Sequence, residues 1–370
     1  MRILMTTDTV GGVWQYALEL ARALRPHGVA IALATSGAAL STAQRAQASR
    51  LSNVTLFEST YKLEWMDEPW DDVRRTADWL RALEAMFRPD LIHLNGYAYA
   101  TGGFRAPVLT VGHSCVLSWF EAVRNTPAPP LWDRYRDAVT NGLRSADYVV
   151  APSRAMLAAL QTHYGPLPDA GVIYNGRDAA DFAAAPKQDV VLTVGRVWDD
   201  AKNIDALGRI SGDVPWPIRV AGDVVGPEGS AASTDGLQIL GRLDERALAS
   251  QFAQAAIYAM PARYEPFGLS VLEAALSRCA LVLGDIPSLC EIWDDAAVYV
   301  PPNDDAALRT AILELIDAPD RRARLAERAY DRAARYGSAA MGRAYLAIYH
   351  TLANRVDRAA SRPTGVLCDS

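Results

Sequence analysis

What most limits the fold of this chain is an alternation of short β-rich runs with amphipathic stretches, which runs its course and then begins again. Ile3 to Thr7, Ala30 to Thr35, Val54 to Phe57, Leu91 to Leu94 and Val108 to Val111 are strand-length runs. Val13 to Leu24 and Val73 to Phe87, between them, carry helical periodicity. In the first of these, Val13, Tyr16, Ala17, Leu20, Ala21 and Leu24 form one apolar stripe, which lays a helix on a sheet. After Tyr148 to Ala151 and Val172 to Tyr174 the pattern restarts with Val190 to Val194, Ile218 to Ala221, Ile257 to Met260 and Ala280 to Leu283. Strands alternating with helices make a parallel α/β sheet, and two series make two sheets. At 370 residues the chain is longer than one ordinary core supports. The fold class is therefore α/β with two Rossmann-like domains, residues 1–174 and 175–344. Asp181 to Pro186 reads as an Ala/Pro-rich linker, and residues 361–370 as a loose tail.

Composition narrows the partners. The apolar runs are strand-length, well short of the roughly 20 residues that span a bilayer, so no transmembrane segment is expected. Met1 to Met5 is too short for a leader's apolar region and reads as the first strand, which points to the cytoplasm. Cys115, Cys279, Cys290 and Cys368 contain no CxxC pair and no ligand-like histidine neighbours, so reduced thiols and no metal site are expected. The first 171 residues carry 16 basic and 16 acidic side chains and the remainder 21 and 27. Without a basic stripe, nucleic acid is excluded as a partner and strong attachment to anionic membranes lacks a patch. Peripheral membrane contact stays open, and a small soluble partner fits better.

Two segments carry the chemistry. In Arg263-Tyr264-Glu265-Pro266-Phe267-Gly268-Leu269-Ser270-Val271-Leu272-Glu273 a loop turns into a helix just after a strand. The amides of Gly268, Leu269 and Ser270 would be unpaired first-turn donors at the positive end of a helix dipole, a setting that binds phosphate. Glu265 and Glu273 would stand at the carboxyl edge of the sheet, where they can hold sugar hydroxyls. The bland alternative makes Ser270 and Glu273 a capping box. Val194 to Asn203 likewise lies between a strand and a helix, and its Arg196 and Lys202 could converge on one anion, as a diphosphate leaving group requires when metal is absent. Alone, these two would read as solvated surface charges.

Together the segments resemble glycosyltransferase family 4, retaining transferases of the GT-B fold, over nearly the whole chain. The resemblance rests on Glu265 and Glu273 as an E-x7-E signature with Phe267-Gly268-Leu269 inside it, on Gly195-Arg196 with Lys202, and on Val172-Ile173-Tyr174-Asn175-Gly176. Ala151-Pro152-Ser153 and Gly11-Gly12 complete it. It implies that Glu273 accepts from ribose hydroxyls, that Glu265 holds a hydroxyl of the transferred sugar, and that the loop at Phe267, Gly268, Leu269 and Ser270 steadies the sugar and distal phosphate. Arg196 and Lys202 would neutralise the departing diphosphate, with Gly12 and Gly11 letting backbone approach it from across the cleft. His113 matches a family histidine beside the donor sugar, and base contacts would come from backbone near Gly222 and from Gly241 to Leu243. A helix at about 345–360 would cross back to the first domain.

Acceptor contacts are expected in the first half, which holds six of the nine tryptophans. Trp65, Trp70 and Trp119 are candidates by their aromatic faces, Asn95 and Tyr97 by their place just beyond a strand. Trp79 and His93 read as packing. The expected partners are a nucleotide-sugar donor, UDP-sugar before GDP-sugar, and a small-molecule or glycan acceptor. No cofactor or metal is expected, and the route is front-face. Thr9-Val10-Gly11-Gly12-Val13 lacks the lysine of bacterial glycogen synthases, and no Asp-x-Asp occurs. Neither first turn reads G-x-G-x-x-G, against a nicotinamide dehydrogenase. A sugar-nucleotide epimerase and a non-catalytic donor-binding protein are the remaining alternatives.

Overall fold

Seven short segments rich in β-branched and aliphatic residues pair side by side in the computed structural model, which describes residues 1–226 and 234–360, with side chains through Arg355. They are β1 (Arg2–Asp8), β2 (Ala30–Ser36), β3 (Val54–Glu58), β4 (Leu91–Leu94), β5 (Val108–Val111), β6 (Tyr148–Ala151) and β7 (Ala170–Val172). Their order is β3-β2-β1-β4-β5-β6-β7, every pairing parallel. A second sheet holds β8 (Gln188–Val194), β9 (Ile218–Ala221), β10 (Gln238–Gly241), β11 (Ala255–Met260), β12 (Ala280–Gly284) and β13 (Val298–Val300) in the order β10-β9-β8-β11-β12-β13, again all parallel. Helices cover both faces, so the central strands are apolar without alternation. Strand order reverses beside β1 in the first sheet and beside β8 in the second, and open sheets of this kind bind ligands beyond the carboxyl ends at such points.

The first helix, Gly12–Leu24, buries the expected stripe except that Val13 at its start stays half-exposed. Trp14, Leu18 and Glu19 are buried as well: the Trp14 indole donates to Gln47 Oε1 at 2.8 Å, Glu19 pairs with Arg22 and Arg177, and alongside packs the helix Ser338–Ala360. That helix begins seven residues before the expected 345. Its Met341, Tyr345, Tyr349 and Leu352 complete the core around Tyr16, Leu20 and Leu24. A Cβ at Gly342 would come within 2.8 Å of the Ala23 Cβ, so glycine is what lets the two helices approach.

The chain passes between the halves twice, at one place. Arg177 and Gly337 form a parallel bridge, the Arg177 amide donating to Tyr336 O at 3.0 Å and the Ser338 amide to Arg177 O at 3.1 Å. The segment 182–187 that follows has no regular structure. The expected tail at 361–370 lies outside the described residues. Among the described residues no helix is long and apolar enough to cross a membrane.

Candidate active site

The carboxyl ends of the two sheets face each other, and loops from both meet between them. On the second-domain side Gly268, at φ +89°, caps the helix Leu269–Leu276, a conformation a side chain rarely adopts. No side chain caps this helix, and among the described residues the amides of Leu269 and Ser270 have no partner. The capping-box alternative is thereby set aside: the Ser270 hydroxyl accepts from Tyr258 at 2.8 Å, and Glu273 faces Arg177, with Nε 3.0 Å from Oε1. Arg177 also reaches Glu19 of the first helix at 3.1 Å. Burial pushes the Glu273 carboxyl up while Arg177 pulls against it.

Arg196 and Lys202 follow β8, and each is held by an internal carboxylate. Lys202 pairs with Glu265, and Arg196 reaches Asp199 at 2.6 Å and lies over the Trp198 ring. Burial works to raise Asp199, but Arg196 and Lys202 outweigh it and hold the carboxyl below its ordinary range. The loop carrying them is fixed by a close backbone crossing, with the Gly195 amide donating to Ala221 O at 3.0 Å and the Gly222 amide to Gly241 O at 2.9 Å. Gly241, at φ +68°, ends β10 beside this crossing, and it and Leu243 two residues on are half-buried.

From the first domain, Asp8 at the end of β1 accepts the amides of Val10 and Gly11 at 3.1 and 3.0 Å through Oδ1, forming the turn that starts the first helix. A Cβ at Gly11 would stand 3.5 Å from Arg196 Nη1, and one at Gly12 3.7 Å from Leu269 Cδ1. Those are ordinary contact distances, so a side chain here would be excluded only by a ligand lying in the gap.

His113 is held edge-on to Tyr16, ring centroids 4.5 Å apart, and its Nε2 lies 2.8 Å from Asn95 Oδ1. Because the Asn95 amide donates to Thr6 O at 2.7 Å, Oδ1 is the acceptor. His113 Nε2 therefore carries the proton, and its Nδ1 is left able to accept. His93, fully buried, reaches the same oxygen at 3.2 Å, with its Nδ1 2.6 Å from the Tyr349 hydroxyl. Burial pulls both imidazoles down to about 3, so both are neutral.

These groups contribute to the pH response. Between about 6.5 and about 3 the unfolded chain binds protons that the folded histidines refuse, so stability falls as pH drops through that window. Glu64 acts in the opposite direction, because burial raises it to about 7 against the amides of Ala98 and Tyr97. As pH falls from about 7 to 4.5 the folded carboxyl takes a proton before the unfolded one does, which adds stability. Thermal midpoints of Glu64→Gln should therefore fall more steeply with acid over that range than those of the native protein. Parallel slopes would mean that Glu64 titrates as an exposed carboxylate.

The acceptor candidates divide. Trp65 and Asn95 line a recess at the end of β1 together with Thr6, Asp8, Glu64 and Tyr99. Tyr97 does not face it: the ring is buried and its hydroxyl donates to Ser114 O at 2.7 Å, which makes it packing. Trp70 starts the helix Trp70–Phe87, packs against two core clusters and carries Arg134 4.7 Å above its ring, so its face is occupied. Trp119 lies at the domain junction, its indole 3.4 Å from Asp199 Oδ1. The Phe267 ring is buried against Tyr336, leaving only its backbone for a ligand. Glu64, Tyr99 and Arg177 were not singled out in the sequence.

Two parallel Rossmann-like sheets facing across such a cleft define the GT-B architecture of glycosyltransferases. Sucrose-phosphate synthase of Thermosynechococcus elongatus has this fold with a TM-score of 0.81, at 19% identity over 98% of this chain and 100% of its own. Anabaena HepE, crystallised with UDP and glucose, gives 0.73 at 18% identity over 95% of this chain and 100% of its own. The chain belongs to glycosyltransferase family 4, matching the Glycosyltransferase Family 4 model over residues 10–181 and the Glycosyl transferases group 1 model over residues 177–332. Alpha-D-kanosaminyltransferase of Streptomyces kanamyceticus is 27% identical over 57% of this chain, which spans 53% of that relative's length. D-inositol 3-phosphate glycosyltransferase 2 of Catenulispora acidiphila is 27% identical over 93% of this chain and 90% of its own.

Proposed function

We propose that this protein transfers a hexose-type sugar from a nucleotide-diphosphate sugar, UDP-sugar first and GDP-sugar second, to a hydroxyl acceptor with retention at the anomeric carbon. The observation that carries the reading is the meeting in one gap of the Gly11–Gly12 turn, whose bare backbone leaves room for a ligand, with the cation of Arg196 and the free amides at Leu269 and Ser270. A diphosphate placed there is neutralised by Arg196 and by Lys202 without a divalent ion, and the helix amides hold its distal oxygens.

The existing ion pairs explain how the site stays ordered before the donor arrives. Lys202 exchanges Glu265 for phosphate, and Glu265 is freed to accept from a sugar hydroxyl. Glu273, fixed on one side by Arg177, offers its remaining lone pairs to the ribose, while backbone at Gly241 to Leu243 borders the base. His113 accepts a sugar hydroxyl at Nδ1, the atom its bond to Asn95 leaves bare. As the diphosphate leaves, cations and amides stabilise the charge on it, and one of its oxygens takes the acceptor proton on the face the acceptor enters.

Thermal unfolding with UDP, GDP, ADP and their sugar conjugates tests the donor site. A ligand at a hundred times its dissociation constant adds about 2.7 kcal/mol of stability. A selective shift with the uridine compounds that is lost in Glu273→Ala is expected. No shift with any of them would defeat the reading, and an inverted anomeric configuration in the product would defeat its retaining part.

A further inference from the structure

The recess at the switch point of the first sheet has an unusual electrostatic make-up for a place next to a diphosphate site. It is a shallow recess with a cavity volume of about 40 Å³ that opens to solvent, and none of the residues lining it is basic. Asp8 and Glu64 both line it. Glu64 accepts from the Ala98 amide at 2.7 Å and the Tyr97 amide at 3.1 Å, but has no cationic partner among the described residues. Asp8 uses Oδ1 for the glycine turn, and its Oδ2 has no hydrogen bond among the described residues. Two basic groups from neighbouring segments have other partners: Lys62 donates to Asp67 O, and Arg196, whose charge acts on Asp8 from the donor side, is bound to Asp199.

A second observation points to a ligand. The Tyr99 hydroxyl, on a residue only 3% exposed, has no hydrogen-bond partner among the described residues, although Tyr99 lines the recess. A buried hydroxyl left unpaired costs free energy that a bound polar group recovers. Trp65 adds an aromatic wall, suited to the C–H face of a ring or to a cation.

We propose that this recess selects an acceptor carrying an ammonium group among its hydroxyls, an amino sugar or aminocyclitol, held between Asp8 and Glu64. The assignment rests on the transferase reading given above. Burial of Glu64 without a counter-ion raises it to about 7, and an incoming ammonium restores the missing partner. A phosphorylated acceptor meets two carboxylates and no basic residue in the lining, so the same charges that recruit an amine repel it.

The test uses matched acceptors on one ring, glucose with glucosamine and glucose 6-phosphate, and inositol with an aminocyclitol and inositol phosphate. Nucleotide release is measured with the donor that thermal unfolding identifies. The amino member of at least one series should show a kcat/KM at least about tenfold above its neutral counterpart, with no transfer to the phosphates. That preference should collapse in Glu64→Gln, whose amide oxygen still serves the Ala98 amide, and in Asp8→Asn, whose Oδ1 still serves the turn. Equal or better use of a phosphorylated or neutral member overturns the proposal, as does donor binding without transfer to any amine. Failure to bind any nucleotide sugar would instead defeat the transferase reading itself.

Discussion

Arg196→Ala and Lys202→Ala should each release nucleotide from the donor at least about a hundredfold more slowly than the native protein, because each removes a preorganised cation from the point where leaving-group charge develops. The effect belongs in kcat more than in donor affinity, since the charge is largest in the transition state. The structure also fixes the control. Arg196 and Lys202 are the partners of Asp199 and Glu265, and removing either leaves a part-buried carboxylate short of a counter-ion. Some loss of stability accompanies both substitutions, so rates must be compared well below each variant's unfolding midpoint. Rates like the native one in both alanine variants would sink the assignment of these residues to the leaving group.

The second large effect is on stability. A Cβ at Gly222 would lie 1.8 Å from the Gly195 carbonyl oxygen, at a backbone φ of +148°. The obstacle is main chain, so no side-chain rotation relieves it, and the conformation itself costs of order 1–3 kcal/mol for a residue with a side chain. Adding the steric term, Gly222→Ala should destabilise the second domain by about 3 kcal/mol or more. It should also weaken nucleotide binding, because the crossing it breaks positions Arg196. Gly212→Ala, where nothing lies within 4 Å and φ is ordinary, is the control and should change stability by less than about 1 kcal/mol. Denaturant unfolding of the pair decides it, and equal midpoints would mean that the crossing yields without cost.

The geometry of the proposed donor side is legible in the sequence because its signals are local. A glycine before a helix, two carboxylates eight residues apart and two cations after a strand keep their meaning wherever the rest of the chain goes, and the loop at Gly268 has the geometry its residues imply. The recess proposed for the acceptor is assembled from the ends of β1, β2 and β4 and the loop at Glu64, far apart in sequence. Tyr97 and Trp70 looked available because a residue beyond a strand or in a loop is usually exposed, whereas here the domain core reaches over both. Glu64 stood in plain view between Leu63 and Trp65, yet nothing local says that the amides of Tyr97 and Ala98 will close on it. In the helix Asp133–Ser145 the signal is local again, since Tyr135, Val139 and Leu143 recur at helical spacing and are buried. Pairing of Arg177 with both Glu19 and Glu273 depends on the two crossings of the chain, which no spacing foretells.

The helix Ser338–Ala360 has a consequence for how the protein is made. All seven strands of the first sheet are synthesised before β8, but the side of the first helix that faces Ser338–Ala360 is covered by Met341, Tyr345, Tyr349 and Leu352. The earliest half of the chain thus waits, with an apolar face open, until the second half has been translated. During that interval it is a natural client for a chaperone, and premature termination anywhere in the second half yields a fragment prone to aggregation rather than a stable first domain.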